Sequence, residues 1–238
     1  MMTKKLLAID TSTENCSAAL QLNGKLFTRV LESPREHSQR LLPFVQQLLD
    51  EAEASLKQLD GLAVGCGPGS FTGVRIGVSV AQGLAFSQQL PVYPVCTLQA
   101  LAQQRIRRSN PAVVLACIDA RMAEVYYALY ENINGVATAL TEPAVAKPDS
   151  QLLKQPLAEL KVTDYGRVAT AGSGWDNYAD ILLAELPMIT VSDQLCRLPE
   201  AQDMLALVTA GQVQAVDASE LEPLYVRNEV TWKKLPGR

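Results

Sequence analysis

Two stretches of this chain carry the same punctuation. Ile9-Asp10 is followed by eight residues, Ala19-Leu20 and then Asn23-Gly24; Ile118-Asp119 is followed by eight residues, Ala128-Leu129 and then Asn134-Gly135. In each, a short apolar run reads as a buried strand ending in an aspartate, and Asn-Gly supplies the two left-handed residues of a tight hairpin. Gly65 lies 55 residues after Asp10, and Gly172, within Ala171-Gly172-Ser173-Gly174-Trp175, lies 53 after Asp119. Two strand-hairpin-helix units with a glycine turn at matching places predict a duplicated α/β fold. The expected lobes are residues 1–105 and 106–225, with 226–238 as a tail.

Between these marks the helices follow from apolar spacing. Leu41, Val45, Leu48 and Ala52, with Leu42 and Leu49 beside them, predict a helix from about His37 that starts near, or bends at, Pro43. Leu62-Ala63-Val64 predicts a short strand entering the glycine turn, after which Val74, Val78, Ala81 and Ala85 line one helix face. Gly73, Gly77 and Ala81 fall four apart on the neighbouring face. Glycine there costs up to about 1 kcal/mol each in helix propensity, so something must pack closely against it. Residues 98–106 read as a helix and 113–118 as a strand. The segment from Pro143 to Pro156 reads as a surface connection.

The chain has 238 residues, 48% apolar and only 19% charged, which is ample for a packed core. A net charge of -4 argues against holding nucleic acid unaided. The five cysteines, Cys16, Cys66, Cys96, Cys117 and Cys196, are scattered without a CxxC pair, which fits neither a disulfide framework nor a zinc site. No signal-like or membrane-length apolar run stands in the sequence, so the expectation is a soluble, cytoplasmic protein.

The turn itself reads Gly65-Cys66-Gly67-Pro68-Gly69-Ser70-Phe71-Thr72-Gly73-Val74-Arg75-Ile76-Gly77. It lacks the Lys-Ser/Thr of a P-loop, and Ser70 stands where a dinucleotide fingerprint needs its third glycine. What remains is either a run of amides suited to an oxyanion or phosphate, or a turn that serves packing alone. Asp10-Thr11-Ser12-Thr13, at the carboxyl end of the first strand, either helps hold phosphate and magnesium or satisfies a turn through local hydrogen bonds. His37 is the only histidine, so a two-histidine metal site is excluded and a serine relay has one candidate base, with no GxSxG elbow. Asp119-Ala120-Arg121 with Glu124 reads either as general acid-base machinery or as a self-compensating ion cluster at a turn, and Arg105, Arg107 and Arg108 as a solvated helix end.

Taken together, Leu7-Ala8-Ile9-Asp10-Thr11-Ser12-Thr13, His37-Ser38 leading into Leu41-Leu42-Pro43, the run from Gly67 to Gly77, Asp119-Ala120-Arg121 with Glu124-Val125-Tyr126, and Pro223-Leu224-Tyr225-Val226-Arg227 resemble the bacterial TsaB family, also called YeaZ. The resemblance spans nearly the whole chain. It implies the duplicated actin, hexokinase and Hsp70 type of ATPase fold (ASKHA). It also implies a non-catalytic subunit of the machinery that makes threonylcarbamoyladenosine in tRNA, pairing with the catalytic paralogue TsaD and joined by the ATPase TsaE. In the paralogue a His-x-x-x-His metal pair follows the glycine-turn helix; by this resemblance Thr97 and Leu101 occupy those places, and neither replaces imidazole.

The resemblance further implies a partner or homodimer surface on the helices from about His37 and about Gly73. The expected interface residues are His37, Arg40, Leu41, Phe44, Phe71, Gly73, Val74, Arg75, Gly77 and Val78, with the small-residue face as the docking element. Asp10, Thr11, Ser12, Gly67 and Gly69 are expected at most as degenerate nucleotide contacts. No tightly bound cofactor or metal is expected, with ATP or ADP belonging to the assembled complex, and tRNA is reached mainly through that complex. Two other readings stay open: an independent phosphotransferase using residues 10–12 and 67–69 around ATP-magnesium, and a hydrolase or protease acting through His37.

Overall fold

The computed structural model describes residues 4–149, 168–185, 189–190 and 196–227. The expected connection from residue 150 to Pro156 and the tail from residue 228 onward lie outside the described residues. The first sheet contains β1 (Leu6–Asp10), β2 (Asn15–Leu22), β3 (Lys25–Glu32), β4 (Gly61–Gly67) and β5 (Val92–Cys96), in the order β3-β2-β1-β4-β5. The second contains β6 (Val113–Arg121), β7 (Glu124–Ile133), β8 (Val136–Ala139), β10 (Val168–Ala171) and β11 (Ile189–Thr190), in the order β11-β10-β6-β7-β8, with β9 (Ala144–Ala146) pairing β7. Both run meander, central strand, then parallel neighbours. The duplication predicted from spacing is present in the topology.

The hairpins form where Asn-Gly stands. Asn23 and Gly24 have φ 51° and 79°, and Asn134 and Gly135 have 55° and 86°, the signs that a two-residue turn between twisted strands requires. The two Asp-ended strands also match in detail: Asp10 Oδ1 accepts from the Ser12 amide at 3.1 Å, and Asp119 Oδ1 from the Arg121 amide at 2.8 Å. The third mark is displaced, however. β6 and β10 pair Ala116 with Ala171, so Gly172 comes level with Cys117, two positions short of Asp119. Any side chain at Gly172 would overlap the Cys117 carbonyl.

Helices α1 (His37–Glu51) and α2 (Phe71–Gln88) cover the outer face of the first sheet. Pro43 does not start α1; it lies inside it, leaving one backbone hydrogen bond unmade near the amino-terminal end. Helices α3 (Thr97–Ser109) and α5 (Ala201–Thr209) lie between the two sheets, and α4 (Gly174–Glu185) covers the far face of the second. Period-two alternation sorts the central strand between layers: Leu7 and Ile9 pack toward α1 and α2, whereas Leu6 and Ala8 join α3 and α5. The expected lobe boundary after residue 105 falls inside α3. The carboxyl-terminal α5 packs on β1, β2 and β4 of the first sheet, so the lobes exchange an element rather than meeting edge to edge.

Candidate functional site

The glycine turn is closed on its own chain. Ser70 caps α2, its Oγ accepting from the Gly73 amide at 3.3 Å while its own amide donates to the Ser12 carbonyl at 2.7 Å. Thr11 Oγ1 donates to the Gly73 carbonyl at 2.7 Å. Side chains on Gly65, Gly69 and Gly73 would overlap Asp10 Oδ1, the Ser12 carbonyl and the Thr11 carbonyl respectively, and one on Gly77 would come within 2.8 Å of Thr11 Oγ1. The small-residue face of α2 is therefore filled by the loop after β1. That corrects the expectation that Gly73 and Gly77 offer an open docking face.

Asp10, Thr11 and Ser12 are wholly buried. Asp10 Oδ1 takes both the amide and the hydroxyl of Ser12, the latter at 2.7 Å; Oδ2 has no partner among the described residues. Burial pushes the Asp10 carboxyl up to about 6, with the Ser12 bonds opposing it. Ser12 Oγ also accepts from Thr97 Oγ1 at 3.0 Å, tying α3 to the same loop. Leu101, one turn further along α3, is fully buried in the shared core. Burial likewise pushes the Cys66 thiol up to about 12, with Cys96 beside it adding to the rise, so the cysteine of the turn stays protonated.

A strap of residues 221–227 crosses the mouth of the turn. Gln82 Nε2 donates to the Leu221 carbonyl at 3.0 Å, and the Leu224 amide donates to the Cys66 carbonyl at 2.7 Å. Gly67, at φ 110°, is required here because a Cβ would come within 2.9 Å of the Leu224 carbonyl. Beyond it Tyr225 meets Phe71, ring centroids 6.4 Å apart. The Arg75 guanidinium lies 3.3 Å over Phe71 and 5.5 Å from Tyr225. The strap ends in the second lobe, where Arg227 bonds Glu124 at 2.5 Å and the Ala120 carbonyl at 3.3 Å.

Between lobes and strap lies a cavity of about 580 Å³. Ser12, Gly69 and Ser70 line it from the first lobe; Asp119, Arg121, Ser173 and Asn177 line it from the second. Asp119 Oδ2 accepts from Asn177 at 3.1 Å and lies 3.7 Å from Arg121, which also reaches Glu14 at 3.3 Å. Of the ion cluster read from sequence, Asp119 and Arg121 meet, whereas Glu124 pairs with Arg227 instead. Arg121, Met122 and Ala123 are successive left-handed residues, at φ 64°, 56° and 59°, a strained turn aimed at the cavity mouth.

Of the expected interface residues, Arg40, Phe71 and Arg75 are exposed and Phe44 is half-buried. His37, Leu41, Gly73, Val74, Gly77 and Val78 are buried within this chain, where the apolar spacing of α1 and α2 that suggested them serves the first lobe's core. His37 does not line the cavity, and its Nε2 has no partner among the described residues. Of the expected nucleotide contacts only Ser12 and Gly69 line the cavity; Asp10, Thr11 and Gly67 do not. Arg107, read as a solvated helix end, instead grips the buried Asp203 of α5 at 2.7 and 3.0 Å. Sequence reasoning missed the strap as a structural device, although its residues Pro223 to Arg227 stood out as a motif.

Comparison with known proteins follows the same lines. Residues 31–232 match the family model described as TsaD: tRNA N6-adenosine threonylcarbamoyltransferase. The Escherichia coli protein named tRNA threonylcarbamoyladenosine biosynthesis protein TsaB is 42% identical, over 98% of this chain and 99% of that protein. The Haemophilus influenzae protein of the same name is 41% identical over the full length of both. The solved structure of YeaZ from Pseudomonas aeruginosa superposes with a TM-score of 0.80 at 39% identity, covering 93% of this chain and 99% of that one. The repeated topology is thus the ASKHA-like fold of these relatives.

Proposed function

The chain belongs to the TsaB (YeaZ) family, and from that premise we propose that it serves tRNA threonylcarbamoyladenosine synthesis as a non-catalytic subunit, supporting a catalytic paralogue, TsaD, with the ATPase TsaE joining the pair. The observation that carries this reading is the state of the Asp10 loop. The Thr11 hydroxyl is engaged by the Gly73 carbonyl, the Ser12 hydroxyl by Asp10 and Thr97, and one Asp10 carboxylate oxygen by Ser12. Thr97 and Leu101 offer a hydroxyl already in use and an apolar side chain where the resemblance puts a metal pair in the paralogue. A metal-assisted transfer needs neutral imidazole or carboxylate donors open to substrate, and these residues do not supply them. No membrane-length apolar helix occurs among the described residues, in keeping with work on tRNA.

The paralogue docks, in this reading, on the outward side of α1 and α2 through Arg40, Phe44, Phe71 and Arg75, and a second copy of this chain uses the same surface when the paralogue is absent. tRNA is reached through the complex, since the chain's net charge of -4 offers little phosphate affinity of its own. ATP or ADP fits this chain poorly: Asp10 and Thr11 are sealed off, and the glycines receive the chain's own carbonyls and carboxylate. Nucleotide is therefore assigned to the assembled complex. Reconstitution decides the matter. With tRNA, threonylcarbamoyl-adenylate, TsaD and TsaE, modification should require this chain; full-rate modification without it would refute the proposal.

A further inference from the structure

Arg75 differs from most of the described arginines. Arg29, Arg40, Arg107, Arg108, Arg121, Arg197 and Arg227 each reach a carboxylate. Arg75 has no hydrogen-bond or ion-pair acceptor among the described residues, yet it is not free to wander. The Phe71 ring lies 3.3 Å beneath its guanidinium and Tyr225 flanks it. A planar cation stacked on an aromatic face keeps its N–H groups pointing outward in the ring plane, where a carboxylate or phosphate is matched by two parallel bonds.

The surroundings favour a protein over RNA. Phe71 is 65% exposed, Tyr225 52% and Leu224 37%, an apolar and aromatic rim of the kind that protein interfaces bury around an arginine anchor. An RNA backbone would call for several uncommitted cations, and the nearby Arg121 and Arg227 are already held by Glu14 and Glu124. We infer that Phe71, Arg75 and Tyr225 form a preset socket for a carboxylate side chain on the partner protein. This rests on the pairing with TsaD proposed above. It adds to that reading the chemistry of the contact and a role for the strap, whose Tyr225 completes the socket.

The test is titration of the full chain with purified TsaD by calorimetry, over a salt series, using wild type, Arg75→Ala, Arg75→Lys and Tyr225→Ala. Binding should weaken at least about tenfold for Arg75→Ala. The lysine variant should recover only part of that, because a point charge neither stacks nor bonds bidentately. Tyr225→Ala should give an intermediate loss, and the wild-type salt dependence should be steeper than that of Arg75→Ala. Thermal melting checks the fold, and Arg75→Gln replaces the alanine variant if that melts low. Undiminished binding by a folded Arg75 variant overturns the socket alone, as does intact TsaD binding with weakened capture of tRNA by the complex, which would make the anion a phosphate. Failure of the wild-type chain to bind TsaD overturns the pairing, and the socket with it.

Discussion

The Thr11 carbonyl oxygen occupies the space that a side chain on Gly73 would need. Backbone meets backbone there, so neither partner can swing aside. Gly73→Val should lower stability by about 1–3 kcal/mol or prevent folding. Gly83, on the same helix, meets nothing within 4 Å, and Gly83→Ala should raise stability by about 0.5–1 kcal/mol. Urea midpoints of the two variants on either side of wild type would bear this out, whereas a tolerated Gly73→Val would contradict the close approach.

Asp10 sets a pH dependence. Its folded carboxyl titrates near 6, above the unfolded value of about 3.9, so the native state binds the proton more tightly. Stability from this group is therefore greatest below about pH 4 and is lost as pH rises through 6, by up to roughly 3 kcal/mol. Asp10→Asn should flatten that slope. Denaturant melts at pH 5 and pH 7.5 measure the difference, and parallel behaviour of wild type and variant would count against it.

Arg107 faces Asp203, whose side chain is fully buried. Arg107→Ala strands that carboxylate between the sheets and should cost about 3 kcal/mol, more than Asp203→Asn, which removes the charge along with the need for its partner. Comparing the two melting temperatures tests the order; equal losses would mean that the contact does not hold α3 and α5 together.

The strap should loosen locally when its far anchor is cut. Arg227→Ala removes a partly buried ion pair with Glu124, worth about 1 kcal/mol. Hydrogen exchange at the Leu224 amide, bonded to the Cys66 carbonyl, should quicken while β1 amides stay protected. Unchanged exchange would show that Leu221 and Leu224 hold the strap alone.

Much of this was legible in the residues and some was not. Asn23-Gly24 and Asn134-Gly135 announced their hairpins because only a few residue types accept two left-handed positions. The stripe of Gly73, Gly77 and Ala81 announced a close approach, but a missing side chain says nothing about who approaches. The visitor was Thr11, 62 residues earlier, and only the fold brings them together. Gly172 misled for a related reason: in the second copy the chain turns two positions earlier, after β10, and spacing alone does not reveal which strand residue a glycine will face. The apolar spacing in α1 and α2 marked buried faces, and the same signal cannot separate a chain's own core from a partner's surface.

The placement of α5 bears on how the protein is made. The first sheet's inner face, with Leu6, Ala8 and Ala63, is covered by Met204, Leu205 and Val208, and Leu221 closes its outer cluster. At roughly 5–20 residues per second, a ribosome that has finished β4 needs on the order of ten seconds more before those residues are synthesised. Through that interval the nascent chain presents an unfinished apolar sheet, so the amino-terminal half is not a self-sufficient folding unit. A fragment cut between the lobes would leave that same apolar face uncovered.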